Sequence, residues 1–137
     1  LIICVTAVSV LLKKGYDVGT LISCMEEERK LDPSCVKAIV SSSNGEDVQR
    51  CHWFCRASIP YGHYHLGVYS YTKESLAKFS KTPPHPLELC EKLEQIRFLT
   101  LGMTIGASLI SSLSLEVNTK EDLERARKHK ENEDLMA

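Results

Sequence analysis

The run from His65 to Arg97, H-L-G-V-Y-S-Y-T-K-E-S-L-A-K-F-S-K-T-P-P-H-P-L-E-L-C-E-K-L-E-Q-I-R, constrains the fold more than any other part of the chain. Residues 65–72 alternate with a period of two, which predicts a strand. His65, Gly67, Tyr69 and Tyr71 fall on one face, and Leu66, Val68 and Ser70 on the other. Residues 73–80 then predict a short helix. T-P-P-H-P stops it, because proline lacks a backbone donor and restricts the residue before it. Residues 87–101 predict a longer helix with Leu89, Leu93 and Ile96 near one face and Gly102 just past its end.

The flanks add elements of both kinds. Residues 6–14 read as a helix ended by Gly15, and 17–25 as a strand followed by a charged break and an Asp32-Pro33 turn. Residues 35–40 form a short β-branched run suited to an interior strand, 41–47 a turn cluster, and 48–59 a further strand. Residues 104–111 predict a last strand and 119–133 a solvated terminal helix. Helices and strands alternate irregularly, so the fold class is α/β, a mixed sheet flanked by helices.

A length of 137 residues, 43% hydrophobic and 26% charged, suits one compact domain. The net charge of −1 provides no basic field for nucleic acid. The apolar opening L-I-I-C-V-T-A-V-S-V-L-L is closed by Lys13 and Lys14, short of the roughly 20 residues of a membrane span. It also lacks the basic start of a signal peptide, so it reads as a buried helix. The six cysteines show no framework spacing, which points to reduced thiols and a cytoplasmic location.

Four motifs follow one another: C-R-A-S-I-P (Cys55–Pro60), the His65 strand, L-E-Q-I-R (Leu93–Arg97) and V-N-T-K-E-D-L-E-R-A-R (Val117–Arg127). Together they resemble the C-terminal half of the 3-deoxy-manno-octulosonate cytidylyltransferase family, the CMP-Kdo synthetases of lipopolysaccharide assembly. The resemblance covers residues 1–128 and leaves 129–137 as a charged tail. It implies the C-terminal part of a nucleotide-diphospho-sugar-transferase-like, Rossmann-like domain. It also implies CTP and Kdo as substrates, Mg2+ as cofactor, a homodimer and no membrane or nucleic-acid partner. The family's Gly/Arg/Lys-rich nucleotide loop and its Gly-Asp-Glu-Pro segment do not occur in this sequence. The expectation is therefore a fragment, or a relic, that does not turn over alone.

Kdo carries a carboxylate and several hydroxyls, so its site needs a guanidinium and a ring of hydrogen-bonding groups. The resemblance gives these roles to Arg56, His65, Tyr69, Glu94 and Gln95. By spacing alone Arg56 reads as a solvated strand arginine. His65 and Tyr69 share a strand face about 13 Å apart, which also fits a half-buried strand with polar tips. Glu94 and Gln95 lie about 100° apart around a helix, each able to reach a ligand lying across it, although Glu94 with Arg97 also reads as a surface ion pair. Asn118 stands where the family has an aspartate that binds magnesium. It preserves a helix cap, with Glu121 completing a capping box, but offers a neutral amide to a cation that favours anionic oxygen. Only Tyr61–Tyr64 separates Pro60 from His65, a connection shorter than the family often has, which is expected to tighten the hairpin that leads into His65. A competing reading gathers Cys51, Cys55, His63 and His65 around zinc, making the chain a small interaction module. Trp53 and Phe54 read as core. Leu89, Leu93, Phe98 and Leu101 read either as core or as a dimer surface.

Overall fold

The computed structural model describes residues 2–42 and 48–110, together with Lys120, Glu124 and Arg127. In chain order the elements are α1 (Ile2–Lys13), β1 (Val18–Ser23), α2 (Glu27–Lys30), β2 (Lys37–Ser42) and β3 (Val48–Cys55). They continue as β4 (His63–Tyr71), α3 (Lys73–Lys81), α4 (Pro86–Glu91), α5 (Ile96–Thr100) and β5 (Ile105–Ile110). The strands join in a ring, β1-β4-β2-β3-β5, with β5 returning to β1. The β1/β5 pairing is parallel and the other four are antiparallel, so the sheet is mixed as expected.

The parallel pair is pinned at its start. Asp17 Oδ2 accepts from the Thr104 backbone N–H at 2.8 Å and from its hydroxyl at 2.9 Å. From there β1 is buried along its whole length, so both of its faces take cover. Val18 and Ile22 pack with Phe54, Leu93, Ile96, Phe98 and Ile105 beneath α4 and α5, with Trp53 against the same cluster. Leu21 packs with Val8 of α1, Tyr64 and Leu66. Each fully buried side chain of this size contributes roughly 1.5–3 kcal/mol, and these two clusters hold the sheet between its helices.

Four expectations change, and the first is the charged break after β1, which holds the short helix α2. The strand expected over 48–59 ends at Cys55, so Arg56 stands in the loop beyond it, its N–H donating to Glu91 Oε2 at 3.3 Å. The strand expected from His65 begins at His63, because Ala38 of β2 pairs there. The helix expected over 87–101 is two helices, so the 100° separation of Glu94 and Gln95 around one axis does not apply. His85 caps α4 in a capping box with Glu88, and Pro86 occupies the first turn. The N–H groups of Lys92 and Leu93 both close on the Glu88 carbonyl, with Lys92 left-handed at φ 55°, and the helix ends. The reversal sends Leu93 and Phe98 into the core and leaves Leu89 exposed, so these residues do not share one surface.

Lys120, Glu124 and Arg127 are helical. Asn118, Glu121 and the tail 129–137 lie outside the described residues. Among those described, no helix is long and apolar enough to cross a membrane.

Candidate functional site

The site begins with an irregularity in β4. Against β1, Thr20 pairs with Tyr69 but Leu21 pairs with Leu66, so Gly67 and Val68 bulge out of the ladder. The buried Thr20 hydroxyl stitches the bulge, donating to the carbonyls of Val68 at 2.9 Å and Leu66 at 3.3 Å. Those carbonyls only accept, so the hydroxyl hydrogen is taken. His65 Nε2, 3.0 Å from the same oxygen, must then be the donor. This assigns the Nε2–H tautomer and makes Nδ1 an acceptor, which has no hydrogen-bond partner among the described residues. Burial pushes the His65 pKa down to about 4, so the ring is neutral at pH 7.

The bulge also draws the two expected site rings together, with centroids 5.4 Å apart. They belong to a continuous file of aromatic contacts, Phe54–His65–Tyr69–Tyr71–Phe98–Phe79, which ends at the Arg97 guanidinium 4.0 Å over Phe79. Burial and then the nearby Glu94 charge raise the Tyr71 phenol pKa.

A cleft of about 600 Å³ opens between β4 and the α4–α5 turn. His65, Gly67 and Tyr69 line it from β4, and Lys92, Glu94 and Gln95 from the turn. Val36, Leu89 and Leu93 form apolar wall, and Glu88 completes it. Four of the five residues expected to bind substrate thus meet in one cavity. Arg56 is not among the lining residues. Its Nη1 donates to the carbonyls of Pro33 and Ser34, at 3.4 and 3.1 Å.

The Glu94–Gln95 turn is held from beneath. Arg97 Nε donates to Glu88 Oε2 at 2.7 Å, Nη2 pairs with Oε1, and Nη1 donates to Thr82 O at 3.0 Å. Glu88 Oε2 also accepts from the His85 N–H at 3.1 Å. Hydrogen bonds from Arg97 hold the Glu88 carboxyl below its ordinary pKa. Arg97 therefore pairs with Glu88 across the turn, rather than with Glu94 on its surface.

Sequence reasoning passed over Thr20, Glu88 and Lys92. Glu88 stands three residues after His85, which is capping-box spacing. Thr20 is a hydroxyl in the middle of an apolar strand, a group that burial obliges to find partners. Nothing in the sequence marks Lys92.

Metal sites fit poorly. Cys51 is buried, with its thiol pKa pushed up to about 12 by burial, and His65 is engaged with Thr20. No group of three or more His, Cys, Asp or Glu side chains among the described residues is placed to hold an ion. Of the carboxylates lining the cleft, Glu88 is neutralised by Arg97, leaving Glu94, so the described residues do not form a magnesium site.

No family model matches the chain. It is 42% identical over 127 residues to the 3-deoxy-manno-octulosonate cytidylyltransferase of Parvibaculum lavamentivorans and 42% identical over 122 residues to that of Rhodospirillum centenum. It is 43% identical over 119 residues to that of Agrobacterium fabrum. The matches take in 89%, 85% and 83% of this chain but 49%, 48% and 47% of the relatives, so the chain spans about half their length. Among solved structures, a CMP:2-keto-3-deoxy-manno-octonic acid synthetase complexed with CTP matches with a TM-score of 0.77 at 26% identity. The match covers 93% of this chain and 55% of that one.

Proposed function

We propose that this chain carries the sugar-acid half of a cytidylyltransferase site, at which CTP and Kdo give CMP-Kdo and pyrophosphate for lipopolysaccharide assembly. In this reading it is the C-terminal part of a nucleotide-diphospho-sugar-transferase-like domain, cytoplasmic and self-associating. The observation that carries the reading is convergence. His65, Tyr69, Glu94 and Gln95, read from separate motifs, line one cleft of a size that suits a small ligand.

The geometry gives each a task. Neutral His65 offers Nδ1 to a sugar hydroxyl, Glu94 accepts from another, and Gln95 both accepts and donates. Tyr69 closes the far side with its ring beside His65. Polar groups of this kind, fixed by the bulge and by the Glu88–Arg97 pair, orient the sugar so that its anomeric hydroxyl points one way. That oxygen would attack the α-phosphorus of CTP, pyrophosphate would leave with the electrons of the broken P–O bond, and the hydroxyl proton would be released. Most of the acceleration would come from positioning. The triphosphate is assigned to none of the described residues.

Calorimetric titration of Kdo into the chain tests this. Saturable binding is expected, weakened at least fivefold by Glu94→Ala, about 1 kcal/mol on the affinity scale, with little change in melting temperature because Glu94 is exposed. A parent chain that binds no Kdo at millimolar concentration would overturn the proposal.

A further inference from the structure

Resting on the sugar-acid reading above, we infer that Val36, with Leu93, decides which sugar acids the cleft takes. The two side chains form an apolar wall that seats the deoxy carbon of the sugar and turns away acids hydroxylated at that carbon. His65 and Tyr69 line the cleft from β4, and Lys92, Glu94 and Gln95 from the α4–α5 turn, all with polar tips. Val36 and Leu93 line it with hydrocarbon alone. Val36 is half-buried and runs beside His65, whose N–H donates to the Val36 carbonyl at 3.0 Å. Leu93, 5% exposed, belongs to the core cluster against which Val36 packs, so the wall is the core reaching the cleft. Its backbone is engaged too. The Leu93 N–H donates to the Glu88 carbonyl and the Leu93 carbonyl accepts from the Ile96 N–H, both at 3.2 Å.

A hydroxyl pressed onto that wall loses its water and gains no side-chain partner. Kdo has one place that avoids this cost. In a 3-deoxy-octulosonic acid every carbon bears an oxygen except C3, a methylene. A methylene against Val36 and Leu93 removes apolar surface from water on both sides, which favours binding. C3 also adjoins C2, the anomeric carbon whose hydroxyl attacks CTP in the reading above. Seating it on the wall therefore orients the reacting centre, and the oxygen-bearing edge of the sugar is left to His65, Glu94 and Gln95. Selectivity comes from the penalty rather than the attraction, since an apolar surface rejects an added hydroxyl by up to about a hundredfold. Leu89 completes the apolar lining but is exposed, so a hydroxyl beside it keeps contact with water.

The test titrates Kdo, and its counterpart carrying a hydroxyl on C3, into the chain and into its Val36→Thr and Val36→Ala variants by calorimetry. The parent should bind Kdo more tightly than the hydroxylated acid by about tenfold or more. Val36→Thr keeps the branched shape and supplies one hydroxyl. It should narrow the preference to about threefold or less, mainly by gaining affinity for the hydroxylated acid. Val36→Ala leaves room for water beside the added hydroxyl and should narrow the preference in the same direction. Each preference compares two ligands on one folded variant, so a change in stability cancels. On the parent itself, saturating the valine and leucine methyl protons should reach the C3 protons of bound Kdo ahead of those on C7 and C8. A parent that binds the two acids alike overturns the inference and leaves the sugar-acid reading standing. So does a preference unchanged in both Val36 variants, or saturation that reaches C8 first. A parent that binds no Kdo overturns both.

Discussion

The rings of His65 and Tyr69 meet at 5.4 Å although four residues of regular strand would set them about 13 Å apart. Thr20 is the reason. Its hydroxyl gathers the bulge carbonyls and fixes the His65 tautomer in one contact set, so a single buried side chain of β1 shapes the β4 side of the cleft.

Thr20→Val should therefore do more than delete a hydroxyl. It keeps the shape but leaves His65 Nε2–H and a bulge carbonyl without a partner, at a cost of about 1–3 kcal/mol for each buried group orphaned. Urea denaturation should show a loss of at least 2 kcal/mol in Thr20→Val and near-parent stability in Thr20→Ser. Equal stability of all three would mean that the bulge is held by packing alone.

Acid should destabilise the fold through His65. Its folded pKa is about 4 against an ordinary value of 6.5. Between those values the unfolded chain binds a proton that the folded chain does not, so stability falls as pH drops through the window. The full loss is roughly 3 kcal/mol. His65→Gln keeps a donor toward Thr20 and cannot titrate. Its stability should be flatter than the parent's between pH 6.5 and 4, measured by denaturation midpoints across that range.

The Glu88–Arg97 pair gives a different acid signature. Its side chains are 8% and 12% exposed, so Arg97→Met strands a nearly buried carboxylate, at about 3–5 kcal/mol. Removing both charges with Glu88→Leu and Arg97→Met should cost less than Arg97→Met alone. In the parent the Glu88 contribution is present above the unfolded carboxyl value and is lost as pH falls through its lowered folded value. Arg97→Met should lack that acid-side loss. Additive single and double costs in a mutant cycle would show that the two side chains do not act as a pair.

How much of this was legible depended on sequence distance. The β4 strand and α3 were plain, since period-two alternation leads into Thr72, whose side chain caps the helix at Ser75. The α4–α5 break was hidden, because Leu89, Leu93 and Ile96 keep helical spacing on either side of the reversal at Lys92. Gly67 inside a strand was a bulge signal that alternation masked. The ring closure could not be read at all. The Asp17–Thr104 lock joins residues 87 apart, and no local pattern announces which distant strand completes a ladder. Arg56 was misplaced for a similar reason, as β3 ends where its pairing with Lys37 of β2 ends.

Two glycines separate packing from backbone strain. A Cβ on Gly19 would stand 2.6 Å from the Val8 carbonyl of α1, 2.5 Å from Ser70 Oγ and 3.0 Å from Leu11 Cβ. The first two already hydrogen-bond at 2.7 Å, Ser70 donating, so neither can yield without breaking that bond. Gly19→Ala should push α1 off the sheet, costing about 1–3 kcal/mol in overpacking and roughly another 1 kcal/mol for the lost hydrogen bond. Gly15, just past α1, has φ 93° and nothing within 4 Å of its added Cβ. Gly15→Ala should cost only the left-handed penalty of about 1–2 kcal/mol, with α1 still seated. Trypsin at Lys13 and Lys14 reads the difference. Cleavage should be faster in Gly19→Ala than in a Gly15→Ala sample brought to the same stability with urea. Matching rates would mean that α1 does not depend on the bare backbone at Gly19 for its seat.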